Sequence, residues 1–233
     1  MPSFVLVHSP LVGPSTWSLV ADELRSRRFA ATVPALPEEP GEPYWRLHAE
    51  AAASQVAEEP RPLVLVGHSG ACPLLPAVGA AIGSGIGAYV LVDGDLPLLH
   101  GEGGSRLDLL SAASPLLADE LAALLDAGGS FPTWGDEDLL EEIPDQRLRA
   151  RVVAEVRPQP RQFWTEPLPA IPGWPDAPCG YLELSPHYAA AAARGRDQGW
   201  RYRHLRGGHF EMLVRPADVA DAILELAGED HSC

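Results

Sequence analysis

The chain opens on an unbroken apolar run, Phe4–His8, and five more short runs rich in valine, leucine and aromatic residues follow: Ala31–Ala35, Leu63–Gly67, Ala88–Asp93, Gly180–Leu184 and Arg201–Leu205. Runs such as LVLVG and YVLVD show no alternation of apolar and polar positions. Strands of that kind bury both faces, as in a parallel sheet covered on both sides. Between the first two runs, Thr16–Ser26 places Trp17, Val20 and Leu24 on one helical face. After the last run, Pro216 suits a first helical turn, and Val219, Ile223 and Leu226 recur at helical spacing. Strand alternating with helix predicts an α/β fold, a doubly wound, mainly parallel six-stranded sheet with helices on both faces.

One interval breaks that rhythm, since no run between Asp93 and Gly180 reads as a strand. Ser114-Pro115 followed by LLADELAALLDA and Gly128 predicts a helix with an N-cap, a proline in the first turn and a glycine stop. Leu139–Val156 predicts a second helical region broken near Pro144, and seven prolines in the 21 residues Pro158–Pro178 suit a stiff, irregular return path. The expected organisation is a core made of residues 1–95 and 178–233, with residues 96–177 inserted after the fourth strand as a helical lid. Twelve acids stand against one base, Arg106, between Asp95 and Asp145. They read either as a solvated lid surface or as a mouth that disfavours anionic substrates.

Composition narrows the chemistry. Hydrophobic residues make up 46% of the 233 positions, enough for a sizeable core. The formal net charge of -15 repels phosphate backbones and acidic headgroups, so neither nucleic acid nor a membrane is an expected partner. All 17 bases are arginine. The absence of lysine excludes a Schiff base, a Ser-Lys dyad and a P-loop lysine. Cys72, Cys179 and Cys233 are widely spaced and suggest neither a disulfide framework nor a zinc site. No metal or cofactor is expected. The start MPSFVLVHSP has no basic stretch and no apolar run is long enough for a span, so the expected location is cytoplasmic.

The strongest chemical signal closes the third strand: LVLVGHSGACPLL, residues 63–75. Gly-x-Ser-x-small between a buried strand and a helix describes a nucleophile elbow, a tight strained turn with Ser69 as nucleophile and Ala71 as the last small residue. A serine hydroxyl needs a base. Among eight histidines, His209 lies in HLRGGHFEML directly after the last strand, where two glycines let a loop turn back over the sheet edge. Loops at the carboxyl ends of parallel strands share one side, so Ser69 and His209 can meet. His8 and His68 read as packed or hydrogen-bonded near the elbow. His48, His100, His204 and His231 read as surface or lid residues, and His187 follows the fifth strand and stays open.

VLVHxxxxGxxxW at residues 5–17, VGHSGA at 66–71 and GGHF at 207–210, in that order, resemble the α/β-hydrolase superfamily. The first motif is especially similar to its small plant-type esterases and hydroxynitrile lyases. The likeness covers both ends of the chain and leaves the lid unmatched. It implies Ser69 as nucleophile, His209 as base and the Gly70 N–H as one oxyanion donor. In the family the acid usually follows the strand before the histidine's strand, where this chain has YLELSPHY and offers only Glu183, inside the strand. Some lipases of the fold take the acid just after the strand that follows the nucleophile, which here means Asp93 or Asp95.

The same likeness assigns the second oxyanion donor to the N–H two positions after His8. That residue is Pro10, which has no N–H. The N–H of Leu11, the hydroxyl of Ser9, or nothing takes its place. Trp134, Phe163 and Trp164 are candidate apolar wall residues or lid core.

The reading that follows is a cofactor-independent serine hydrolase cleaving a carboxylic ester or thioester of a small molecule through an acyl-enzyme on Ser69. A lyase, decarboxylase or cyclase that uses the Ser-His pair for proton transfer is the alternative, and a catalytically silent binding protein is a third. Oligomeric state is not legible in the sequence.

Overall fold

A computed structural model of the chain describes residues 1–38, 41–99 and 101–229. His100, His231 and Cys233 lie outside them. The predicted strands form as β1 (Ser3–Val7), β2 (Ala30–Thr32), β3 (Leu63–His68), β4 (Ile86–Val92), β5 (Cys179–Glu183) and β6 (Arg201–His204). They make one sheet in the order β2-β1-β3-β4-β5-β6, and every neighbouring pair is parallel. β2 stops short of the run that suggests it, just ahead of Pro34, which has no N–H to give a ladder.

Helix α1 (Ser18–Ser26) links β1 to β2, α2 (Tyr44–Gln55) precedes β3, and α3 (Leu75–Ile82) follows it. Four helices lie between β4 and β5: α4 (Arg106–Ala113), α5 (Pro115–Asp126), α6 (Gln146–Ala154) and α7 (Arg161–Thr165). α8 (Ala189–Asp197) joins β5 to β6, and α9 (Glu211–Val214) and α10 (Pro216–Ala227) follow the last strand.

The apolar runs are continuous because successive residues serve opposite faces. Phe4 and Leu6 pack with Trp17, Val20 and Leu24 beside α10's Val219, Ile223 and Leu226. Val5 and Val7 turn the other way, into the apolar layer that also holds Ala49, Ala52, Val78 and Ala192. Each fully buried leucine or valine there contributes about 1.5–3 kcal/mol. A charge at any of these positions breaks one of the two layers.

The interval between β4 and β5 departs from expectation in detail. α5 starts at Pro115 as its sequence indicates, but Ser114 makes no side-chain capping bond. The region after Leu139 turns helical only at Gln146, where Asp145 accepts the N–H groups of Arg147 and Leu148. Two helices lie outside the sequence reading. α4 starts on a reciprocal capping box between Ser105 and Asp108. α7 forms inside the proline-rich stretch because Pro160 precedes its first turn and residues 161–165 keep every N–H.

Leu121, Leu125, Phe163 and Trp164 from this interval build a third apolar cluster around Leu11 of the β1 loop. The sole base of the acidic stretch, Arg106, faces inward, 2.8 Å from Glu166 and 4.0 Å from the Phe163 ring centroid. Exposed acids such as Asp119, Glu120 and Glu137 are left on the outside. No helix of the described residues is long and apolar enough to cross a membrane.

Candidate active site

Val7, Gly67, Leu91 and Tyr181 are lateral neighbours across β1, β3, β4 and β5, so the loops that leave these strands gather along one edge. Ser69 stands on that edge just past β3 with a φ of 55°, the left-handed backbone of a strained turn. The small neighbours in its motif have physical reasons. A Cβ on Gly67 would stand 3.0 Å from Leu75. One on Gly94 would collide with the Ser69 carbonyl oxygen, so the β4 exit passes directly behind the elbow. Gly70 is the second residue of the tight helix Ser69–Leu74, in its first turn, where an N–H has no intrahelical acceptor.

On the far side of the elbow stand Asp93 and His209. Asp93 also has a positive φ, 44°, which turns its buried carboxylate toward the end of β5. Oδ1 accepts the N–H groups of Leu184 and Ser185 at 3.0 and 2.9 Å. Oδ2 accepts the Ser185 hydroxyl at 2.7 Å and His209 Nδ1 at 2.7 Å. Burial alone pushes this carboxyl up, but the His209 hydrogen bond and charge, with the two backbone donors, outweigh it and hold Asp93 below the ordinary range. With Nδ1–H committed to Asp93, the Nε2 of His209 carries the free lone pair.

The His209 loop is fixed by its own neighbours. His68 Nε2–H donates to the His209 carbonyl at 2.9 Å, and the two rings lie 4.4 Å apart. Glu211 Oε2 accepts the Gly208 N–H at 3.0 Å and holds the glycine pair in its turn. Among the described residues no hydrogen bond joins Ser69 to His209; the serine hydroxyl lies near the phenol of Tyr188.

The near side belongs to the β1 loop. Ser9 Oγ would lie 3.0 Å from a Cβ on Gly70, and Pro10 Cδ 3.6 Å from it, so both pack against the residue after the serine. The Leu11 N–H is turned onto Ser9 Oγ at 3.3 Å. His8 shapes this loop: Leu36 N–H donates to its Nε2 at 3.2 Å, which leaves Nδ1–H to donate to the Ser9 carbonyl at 2.8 Å. Burial lowers His8 to about 4, so it is neutral at pH 7. The β4–β5 interval clamps the loop from outside, with Arg157 N–H on the Leu11 carbonyl at 2.9 Å and Gln159 Nε2 on the Pro10 carbonyl at 3.2 Å.

The remaining candidates sort by contact. Asp95 makes no hydrogen bond to His209 among the described residues; burial raises its carboxyl while the Arg194 charge opposes the rise. Glu183 is turned away, accepting the Tyr202 hydroxyl at 2.5 Å. Trp134 leans edge-on against Phe210 and Phe131, one residue from His209, whereas Phe163 and Trp164 belong to the cluster around Leu11. His187 and His204 are exposed.

His48 departs from its expected surface place. α2 buries it against Phe163, its ring nitrogens lack a well-formed partner, and burial lowers it to about 3. Ser185 and Tyr188, both at the end of β5, are the site neighbours that sequence reasoning misses. A cavity of about 120 Å³ between Leu96, Arg194 and Trp200 borders neither Ser69 nor His209.

Solved structures share this architecture. An extracellular alpha/beta-hydrolase from a Paenibacillus species, described as structurally and functionally homologous to Tobacco Salicylic Acid Binding Protein 2, superposes with a TM-score of 0.76 at 17% identity, covering 97% of this chain and 99% of its own. A variant of tomato Methylketone Synthase I complexed with beta-ketoheptanoate gives 0.75 at 15% identity over 98% of each chain. A mutant of polyneuridine aldehyde esterase gives 0.72 at 15% identity, covering 96% of this chain and 98% of the other. At these identities the likeness establishes the fold. No curated protein matches the sequence. The profile described as "Alpha/beta hydrolase family" matches residues 4–222, nearly the whole chain, and the chain therefore belongs to the alpha/beta hydrolase family.

Proposed function

We propose that the protein is a cofactor-independent serine hydrolase that cleaves a carboxylic ester or thioester of a small molecule. The 2.7 Å bond from His209 Nδ1 to a fourfold hydrogen-bonded Asp93, beside a serine in elbow geometry, carries this reading. Asp93 fixes the tautomer that leaves Nε2 basic and stabilises the imidazolium once it forms. His209 Nε2 takes the Ser69 proton as Oγ attacks the carbonyl carbon, then returns it to the leaving group. Water clears the acyl-enzyme by the same two transfers in reverse.

The oxyanion needs two donors. Gly70 N–H is one, and the Ser9 hydroxyl supports the second role in place of Pro10. Its oxygen already accepts the Leu11 N–H, which polarises the hydroxyl and leaves its own proton for the substrate. The helices of residues 96–177 serve as a lid, fastened to this loop through Arg157 and Gln159. Pro10 also favours a second reading, proton transfer by the Ser-His pair in a lyase, decarboxylase or cyclase, because such chemistry needs no fully furnished oxyanion hole.

Turnover of a graded series of nitrophenyl esters by the wild type and by Ser69→Ala separates the two. Covalent hydrolysis expects a loss on the order of 10⁶-fold in kcat on removing the nucleophile. Turnover unchanged in Ser69→Ala contradicts it.

A further inference from the structure

Tyr188 is a further polar side chain beside both reacting groups. It ends the short turn Pro186–Tyr188 after β5, and its ring stacks on His209 with centroids 5.5 Å apart and planes 23° from parallel. Its hydroxyl comes within reach of the Ser69 side chain, and the Asp95 charge acts on it. Burial first, and then the Asp95 charge, push the phenol well above its ordinary range, so the group keeps its proton and acts as a donor.

The two flanks of Ser69 differ in what they offer a tetrahedral carbon bonded to Oγ. One oxygen of that centre faces Gly70 and Ser9. The leaving-group oxygen faces His209, because it takes its proton from Nε2. A hydroxyl that reaches Ser69 while its ring lies on the imidazole stands beside this second oxygen.

We propose that Tyr188 is a further catalytic residue, donating a hydrogen bond to the departing alkoxide oxygen, and that the substrate is an ester of an alkyl alcohol rather than a thioester; this rests on the serine-hydrolase reading. The Ser69 proton moves to His209 Nε2 as the Oγ–C bond forms. The C–O bond to the alkyl group then breaks, its electron pair stays on oxygen, and that oxygen takes the proton from Nε2. Tyr188 O–H holds the same oxygen throughout and keeps its own proton. An alkoxide needs such help far more than a nitrophenolate or a thiolate, which leave readily and accept hydrogen bonds weakly.

The test compares kcat/KM for a methyl ester and a nitrophenyl ester of one acyl chain, in the wild type and in Tyr188→Phe, which keeps the stacked ring. A hydrogen bond to developing charge is worth about 10- to 100-fold, so the variant is expected to lose that much on the methyl ester and less than about threefold on the nitrophenyl ester. The ratio of the two losses is independent of how much protein is folded. Equal losses on both esters, or none on either, overturn the assignment. Fluorophosphonate labelling of both proteins separates the two levels: a labelled Ser69 with equal losses removes Tyr188 alone, whereas an unlabelled wild-type Ser69 removes the hydrolase reading and this assignment with it.

Discussion

The two flanks of Ser69 are built to different standards. On the His209 side every group is held more than once: Asp93 accepts four hydrogen bonds, His68 pins the His209 backbone, and Tyr188 stacks on the imidazole. On the β1 side, the position to which the resemblance assigns a backbone donor is a proline, Pro10. The loop is just as firmly fixed there, through His8, Arg157 and Gln159, but what it presents to Gly70 is a hydroxyl. The comparison teaches that rigidity and donor count are separate properties. His8 and His68 make the parallel plain, since each stands at the end of a strand, is buried and directs one N–H to the carbonyl of a site loop.

The sharpest break of the comparison is on the His209 side. Asp93→Asn places an amide donor against Nδ1 and favours the wrong tautomer, so kcat on a nitrophenyl ester is expected to fall about 10⁴-fold. Asp95→Asn is expected to stay within about tenfold, because His209 Nδ1 bonds Asp93 and not Asp95. Equal effects from the two variants contradict the placement of the acid. On the β1 side, Ser9→Ala removes the proposed second donor. A fall of about 10²- to 10³-fold in kcat with little change in KM is expected. An unchanged kcat means that Ser9 gives no hydrogen bond to the transition state.

The smallest effect concerns how the β1 loop is held. The pKa of His8 is depressed in the folded chain, so the unfolded chain binds its proton first as pH falls below 6.5. Stability therefore drops between pH 6.5 and about 4 and is retained above that window. Between pH 7 and pH 5 this one residue accounts for about 2 kcal/mol. His8→Asn keeps a donor for the Ser9 carbonyl and removes the titration. Urea unfolding at the two pH values is expected to show a pH difference smaller by about that amount. An unchanged difference contradicts a neutral His8.

How far the sequence reaches follows from which signals are local. Both-face burial leaves apolar runs that make β1, β3, β4 and β5 legible, whereas the edge strands β2 and β6 are largely exposed and are marked by their place in the alternation of strand and helix. Ser69 is legible because its turn demands Gly67 and Ala71 at fixed offsets, and His209 because a glycine pair precedes it. Asp93 and Asp95 carry the same local signal, an acid at a strand exit, and only the neighbours that β5 brings, Leu184 and Ser185, distinguish them. Tyr188 is hidden beside His187, a residue type with the stronger chemical claim; the backbone turn decides which of the two faces inward. His48 reads as exposed because α2 is weakly patterned, and its burial depends on Phe163, far along the chain. The short helix α7 is masked by flanking prolines that in fact bracket it.

The central claim is that Asp93 and His209 activate Ser69. A fluorophosphonate probe reacts only with an activated serine, and peptide mass spectrometry locates the adduct. A single adduct is expected on Ser69 in the wild type, none in Ser69→Ala, and strongly slowed labelling in His209→Ala and Asp93→Asn. Folded wild-type protein that stays unlabelled at Ser69, or that labels equally fast without His209, contradicts it.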